Sequence, residues 1–209
     1  MKTLSKFLML ALVVCAGSLL QAATLGVSTS GDGVFVNTGT WTLGYSFQVD
    51  SPITVTALAV FDAGSDGLNV SHAVGFWDAN ANLLASVVVP AGVAAPIQGG
   101  FRYENITPLA LTVGDIYYVG SVNGIDNDGW EQDPTVLTAA PEITYLSRQY
   151  EFSSGGLVFP DLVGSGSTGY FGGNFLFGSG TQTPEPGTLM MLGSGLVAVL
   201  GAARRKLRG

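Results

Sequence analysis

Cysteine, histidine and cationic side chains are nearly missing from this sequence, and each shortage closes a class of chemistry. The one cysteine, Cys15, lies inside an N-terminal apolar run, and Val14 precedes it where a lipoprotein signal needs a small residue. Cys15 is therefore expected to leave with a signal peptide. A mature chain without thiols has no disulfide framework, no cysteine metal site and no cysteine nucleophile, so its stability must come from a packed core. His72 is the sole histidine. A histidine-based metal site would have one imidazole to draw on. A triad would need an activated serine, and no G-x-S-x-G elbow occurs. Sharing parity with Val70, Val74 and Phe76, His72 reads as a satisfied core or edge histidine.

Positive charge is the third shortage. Between Thr24 and Thr183 stand fourteen acidic residues, from Asp32 to Asp161, against two basic ones, Arg102 and Arg148, a net charge of about −12. Phosphate binding needs a basic face, which excludes nucleic acid and anionic membrane surfaces as partners of this region. Solubility outside the cell is the ordinary reading of such a balance. Divalent cations and neutral sugars remain compatible with it.

The other basic residues are held at the two ends. Lys2 and Lys6 precede an apolar run from Phe7 to Leu20, and the small residues Ala22 and Ala23 follow. This is the order of a Sec signal peptide over residues 1–23, read by the Sec translocon and cut after Ala22 or Ala23. The run is short for a retained membrane anchor.

Residues 24–180 read as strands and turns. In LGYSFQV, Leu43, Tyr45, Phe47 and Val49 share one parity, and Gly44, Ser46 and Gln48 share the other, the alternation of a half-buried strand. Further strands are expected at Ile53–Phe61, Val70–Asp78, Leu83–Pro90, Gly100–Ile106 and Asp115–Val122, then in EITYLSRQYEF, LVFP and FGGNFLF. Turn chemistry separates them in DAGSDG, DANAN, PAGVAAPIQGG and TVGD. Short strands at this spacing, without a helical period between them, predict an all-β domain, an antiparallel β-sandwich or jelly roll. A signal helix would precede it and a transmembrane helix follow it.

The C-terminal segment, residues 181–209, has three ordered parts. TQTPEPGT is a proline-containing linker that cannot extend a central strand. Thr188 to Ala203 are sixteen uncharged residues, which as a helix would span roughly 24 Å against a hydrocarbon core of about 30 Å. Arg204, Arg205, Lys206 and Arg208 then close the chain. Such clusters stay on the cytoplasmic side and can snorkel from a short span, which puts the body outside and the tail inside.

Pro184-Glu185-Pro186, the short apolar segment and the terminal basic run together resemble the PEP-CTERM sorting signal. Gly187 stands where that signal commonly has serine. The resemblance implies an exosortase, a membrane protease-transpeptidase of Gram-negative bacteria that make exopolysaccharide, as a partner. It implies that the tail is held transiently in the inner membrane, cut near the motif and removed, leaving the protein at the cell surface or in the extracellular matrix. The body, in GYSFQVDSPITVTALAVFD, VGFWDANANLLAS, PLALTVGDIYYV and FGGNFLF, resembles the DUF4082-type domain over about residues 27–177. That family carries no established catalytic residues.

One stretch of the body offers a candidate site. NGIDNDGWEQD places Asp126, Asp128, Glu131 and Asp133 on one glycine-flanked loop. Oxygen-rich loops suit calcium, but the spacing fits no EF-hand, and a solvated acidic loop is the ordinary reading of these residues. Trp130, between acidic and glycine neighbours, is expected to be exposed. With Trp41, Trp77 and the tyrosines it is a candidate stacking platform for sugar rings, while core packing is the expectation for most of the other aromatics. A formal G-x-G-x-x-G at Gly164–Gly169 lacks the strand-to-helix context that binds phosphate. These observations favour a non-enzymatic exported module that binds or structures exopolysaccharide. The alternatives are a secreted polysaccharide hydrolase working through the acidic loop and a structural coat or filament subunit.

Overall fold

The computed structural model of the chain describes residues 23–179 apart from residues 32, 37, 125, 126, 166 and 167. The signal peptide through Ala22, the sorting motif with its apolar segment and basic tail, and Asp126 thus lie outside the described residues. The strands are β1 (Thr24–Leu25), β2 (Val27–Ser30), β3 (Val34–Val36), β4 (Trp41–Val49), β5 (Ile53–Phe61), β6 (His72–Asp78), β7 (Leu83–Val89) and β8 (Ile97–Gln98). There follow β9 (Phe101–Ala110), β10 (Ile116–Asn123), β11 (Trp130–Gln132), β12 (Val136–Ala139), β13 (Ile143–Phe152), β14 (Leu162–Val163), β15 (Tyr170–Phe171) and β16 (Gly173–Ser179). Among the described residues there is no α-helix, only a 3-10 turn at Ala63–Ser65.

Two antiparallel sheets face each other, β1-β16-β5-β9-β8 and β14-β13-β4-β10-β6-β7, with the smaller β15-β11-β3 and β12-β2 beside them. The alternation in β4 aims Tyr45, Phe47 and Val49 into the interior, where all three are fully buried. Phe175 of the opposite sheet stacks on Phe47 at 4.9 Å, and Phe76 of β6 meets both edge-on at 5.9 and 5.6 Å. Such ring pairs add roughly 0.5–1.5 kcal/mol each beyond the area they bury. This is the β-sandwich that the strand pattern predicts.

One polar group crosses the core with every bond made. Asn174 Oδ1 accepts the Tyr45 hydroxyl at 2.9 Å, and Asn174 Nδ2 donates to the Val27 carbonyl at 2.7 Å. Burial, with smaller contributions from Tyr103 and Tyr145, pushes the Tyr45 hydroxyl far above its ordinary range, so it remains a donor.

The other face of β4 departs from the half-buried expectation. Thr42 and Ser46 are buried as well: residues 153–160 reach over Thr42, and Ser147 and Gln149 of β13 bond to Ser46. The Val158 amide donates to Thr42 Oγ1 at 3.2 Å, and Phe159 packs on Trp77 and Tyr118 at 6.0 and 4.9 Å. LVFP, expected as a strand, is this covering segment instead. Gly44, Gly120 and Gly75 lie in register across β4, β10 and β6, and Leu157 packs beside Gly75.

Candidate functional site

After β10 the chain turns through the acidic loop into β11. Asp128, on that loop, is buried. Its carboxylate accepts the Asn69 amide at 2.7 Å, Asn69 Nδ2 at 2.8 Å and the Val70 amide at 3.0 Å, and it pairs with His72 Nε2 at 3.0 Å. Burial pushes the Asp128 carboxyl up, but the hydrogen bonds from His72, Asn69 and Val70 outweigh it and hold the group below its ordinary range. His72 is the satisfied, buried histidine that its parity predicts.

Asp133 does a similar job at the other end of the loop. Its oxygen accepts Arg148 Nη2 at 2.6 Å and the Thr168 and Gly169 amides at 3.0 and 3.2 Å. Burial raises this carboxyl too, and the Thr168 amide and Arg148 bring it below the ordinary value. Glu131 turns to the opposite side, where Thr29 Oγ1 donates to it at 2.5 Å. Of the acidic residues singled out in the sequence, the three that are described are therefore not brought together. Asp128, Glu131 and Asp133 are committed to three different partners, and among the described residues no group of three or more His, Cys, Asp or Glu is placed to hold a metal ion.

A further regularity emerges from these contacts. Arg102 and Arg148 are the only arginines or lysines of residues 24–179 and His72 the only histidine, and each is buried against an aspartate. Arg102 Nε lies 2.6 Å from Asp62, Arg148 Nη2 2.6 Å from Asp133, and His72 Nε2 3.0 Å from Asp128. The surface of the body keeps its acids and presents no cationic side chain.

Trp130 corrects an expectation. It is 4% exposed, not the tip of a solvated loop. W-E-Q is a short strand: Trp130 pairs with Val36 of β3, and Gln132 pairs with Tyr170 of β15. Period-two alternation sends Trp130 and Gln132 to one side and Glu131 to the other. That alternation was the available signal, masked by the flanking acids and glycine.

On the Trp130 side lies a cleft of about 260 Å³ lined by Trp41, Trp130, Tyr150, Tyr170, Gln132 and Thr38 together with Val36 and Leu43. The rings hold one another in place. Trp41 meets Tyr150 at 6.0 Å and Phe152 at 5.6 Å, and Tyr150 meets Tyr170 at 5.7 Å. Trp41 Nε1 donates to the Thr38 carbonyl at 2.7 Å, and the Arg148 guanidinium sits 4.9 Å from the Tyr170 ring centre. Trp130 Nε1, by contrast, is buried without a hydrogen-bond partner among the described residues, a state that costs about 1–3 kcal/mol.

Two larger clefts flank the Asp128 clasp. One, of about 460 Å³, is walled by Ser71, His72 and Val88, and the other, of about 550 Å³, by Asp66, Asn69 and Asp128. His72 and Asp128 are already engaged with each other and with backbone groups there.

Comparison with known proteins reaches the end of the chain and not its body. The family model described as the PEP-CTERM protein-sorting motif matches residues 182–206. No curated protein and no solved structure matches the chain. The motif implies processing by an exosortase and supports an exosortase-targeted surface protein. The matched segment contains Pro184, Glu185, Pro186 and the basic residues Arg204, Arg205 and Lys206. The resemblance of the body to the DUF4082-type domain gains nothing from these comparisons.

Proposed function

We propose that this protein is exported through its N-terminal signal and cut by an exosortase near Pro184-Glu185-Pro186. It is then delivered to the cell surface or the exopolysaccharide matrix, where its β-sandwich serves as a non-catalytic binding or structural module. The match over residues 182–206 is the observation that carries this reading. The fold is compatible with it: Thr24 and Leu25 of β1 pair with Phe177 and Leu176 of β16, so the body begins and ends on neighbouring strands. A cut after Ala22 or Ala23 leaves β1 whole.

The non-catalytic part rests on the loop acids. A glycoside hydrolase needs two carboxylates facing one bond, about 5–9.5 Å apart according to mechanism. Asp128, Glu131 and Asp133 instead fasten the loop to three different parts of the body, a structural use of the same groups.

Intact mass and fractionation in cells with and without the exosortase test the sorting. The expected product in competent cells is a surface species trimmed at both ends, and without the enzyme a membrane species that keeps its arginine tail. The same tailed species in both strains would refute the proposal. Incubation of the protein with exopolysaccharide should release no new reducing ends; their release would overturn the non-catalytic reading.

A further inference from the structure

We propose that the cleft formed by Trp41, Trp130, Tyr150 and Tyr170 binds a neutral saccharide, one sugar unit of a polymer lying against the rings. This rests on the proposed function only in placing such a polymer within reach. The cleft's own chemistry names the class. Its lining includes no Asp, Glu, Lys or Arg, so nothing there recognises a phosphate, a sulfate or a carboxylate. Arg148 is not among the lining residues; its Nη2 is held by Asp133 and its guanidinium lies against the Tyr170 ring. What remains is four aromatic rings with Gln132 and Thr38 between them, a surface for a ligand having an apolar face and a rim of hydroxyls.

Trp130 Nε1 is buried and without a partner among the described residues, on a residue that lines the cleft. The acceptor that suits it is an oxygen such as a sugar hydroxyl or ring oxygen. A quaternary ammonium ion is the other natural guest of an aromatic cage. It offers no acceptor to this donor, and no carboxylate lines the cleft to balance its charge. Size agrees with a single sugar unit, since about 260 Å³ falls just short of the roughly 300–1,000 Å³ of sites for drug-sized ligands.

The fold supplies the rigidity that such a platform needs. Trp41 and Leu43 extend the inward-facing row of β4 beyond the sandwich core, and Tyr150 pairs with Leu43 in register. The edge-to-face contacts of Trp41 with Tyr150 and Phe152 set the ring before any ligand arrives, so little ordering cost falls on binding.

The test uses the full chain, purified in a detergent without a sugar headgroup. Tryptophan fluorescence and calorimetry follow titration with maltohexaose, cellohexaose and the exopolysaccharide of the host, with tetramethylammonium as the competing class. Saturable binding of a saccharide, weakened at least tenfold in Trp41→Ala and in Tyr150→Ala, is the expected result. Phe35→Ala, an exposed ring outside the cleft, should leave it unchanged. Gln132→Leu, which keeps bulk and removes the polar end, should also weaken binding and guards against misfolded truncations, whose fold is checked by circular dichroism. Wild-type chain that binds none of the saccharides, that binds tetramethylammonium instead, or whose saccharide binding ignores all three cleft substitutions overturns the proposal. Exosortase cutting of Trp41→Ala is scored in parallel. Normal cutting without saccharide binding in wild type removes the cleft inference alone, and saccharide binding by a chain that is never cut removes the sorting reading alone.

Discussion

His72 joins two acceptors in the interior: its Nδ1 lies 2.7 Å from the Val122 carbonyl oxygen and its Nε2 3.0 Å from Asp128 Oδ2. A carbonyl can only accept, so Nδ1 is the donor in the first of these contacts. The pair ties the turn before β11 to the entry of β6. Asp128→Ala leaves His72 and two backbone amides without their acceptor. Removing one partner of a buried pair costs roughly 3–5 kcal/mol, and urea denaturation of the variant should show a loss of that order.

The same carboxylate predicts how stability varies with acid. Asp128 and Asp133 are both held below their ordinary range in the folded protein. The unfolded chain therefore binds protons more readily than the folded one as pH falls. Their contribution is complete above the unfolded value of about 3.9 and is lost as pH drops through the lower folded values. Denaturation midpoints should hold steady down to about pH 5 and fall steeply below about pH 4. In Asp128→Asn the midpoint should start lower and the acid limb should be shallower. Parallel limbs in the two proteins would show that Asp128 contributes nothing to the acid response.

Arg102 gives a case in which shape matters as much as charge. Nε donates to Asp62 at 2.6 Å, Nη1 to the Ala95 and Val93 carbonyls at 2.9 and 3.3 Å, and Nη2 to the Ser65 carbonyl at 3.4 Å. One planar fork thus closes the turn after β5 and the approach to β8. Lysine keeps the charge but brings a compact ammonium that cannot reach these acceptors together. Arg102→Lys should lose about 2–4 kcal/mol, close to the loss in Arg102→Ala. A lysine variant with near wild-type stability would mean that charge alone suffices.

Which parts of this architecture were legible in the sequence depends on how local their causes are. The inward row of β4 is written in alternate residues of one strand, and Tyr45, Phe47 and Val49 are buried as that row predicts. The covering of the other face is not local. Thr42 looks solvent-facing until residues 153–160 arrive from over a hundred positions away. β1 is too short to announce itself, and its pairing with Phe177 and Leu176 spans nearly the whole domain. The cleft was half legible. Trp41 and Trp130 can be picked as aromatic candidates, but their meeting with Tyr150 and Tyr170 depends on strand register and on a three-residue strand that resembles a loop. The acids misled for a related reason, since sequence proximity gathers Asp128, Glu131 and Asp133 while a strand and its two turns send them apart.

Gly44 tests the close approach of β4 and β10. It pairs with Gly120, and a Cβ at Gly44 would run into the Val119 carbonyl and come within 2.7 Å of the Gly120 Cα. These are backbone atoms that cannot rotate away. Gly44→Ala should cost about 3 kcal/mol, the upper part of the usual overpacking range. Gly178→Ala, where nothing lies within 4 Å of the added methyl, should be neutral or slightly stabilising, since alanine loses less entropy on folding. Equal effects at the two positions would refute the close approach of β4 and β10.

The two halves of the sorting segment should fail in different ways. Pro184, Glu185 and Pro186 lie just ahead of the apolar stretch, and Arg204, Arg205, Lys206 and Arg208 just beyond it. If the tripeptide is what the exosortase reads, Glu185→Ala leaves export and membrane retention intact and abolishes the cut, so a tailed species accumulates in the inner membrane. If the basic cluster is what stops transfer, glutamine at all four positions removes the cytoplasmic hold, worth about 1 kcal/mol per charge near an anionic leaflet. The chain should then be released from the membrane with its tail still attached. Mass spectrometry of the membrane and released fractions separates these outcomes. Wild-type trimming in both variants would mean that neither group carries the sorting information. Trimming lost in both, with both retained in the membrane, would mean that the charges serve recognition rather than topology.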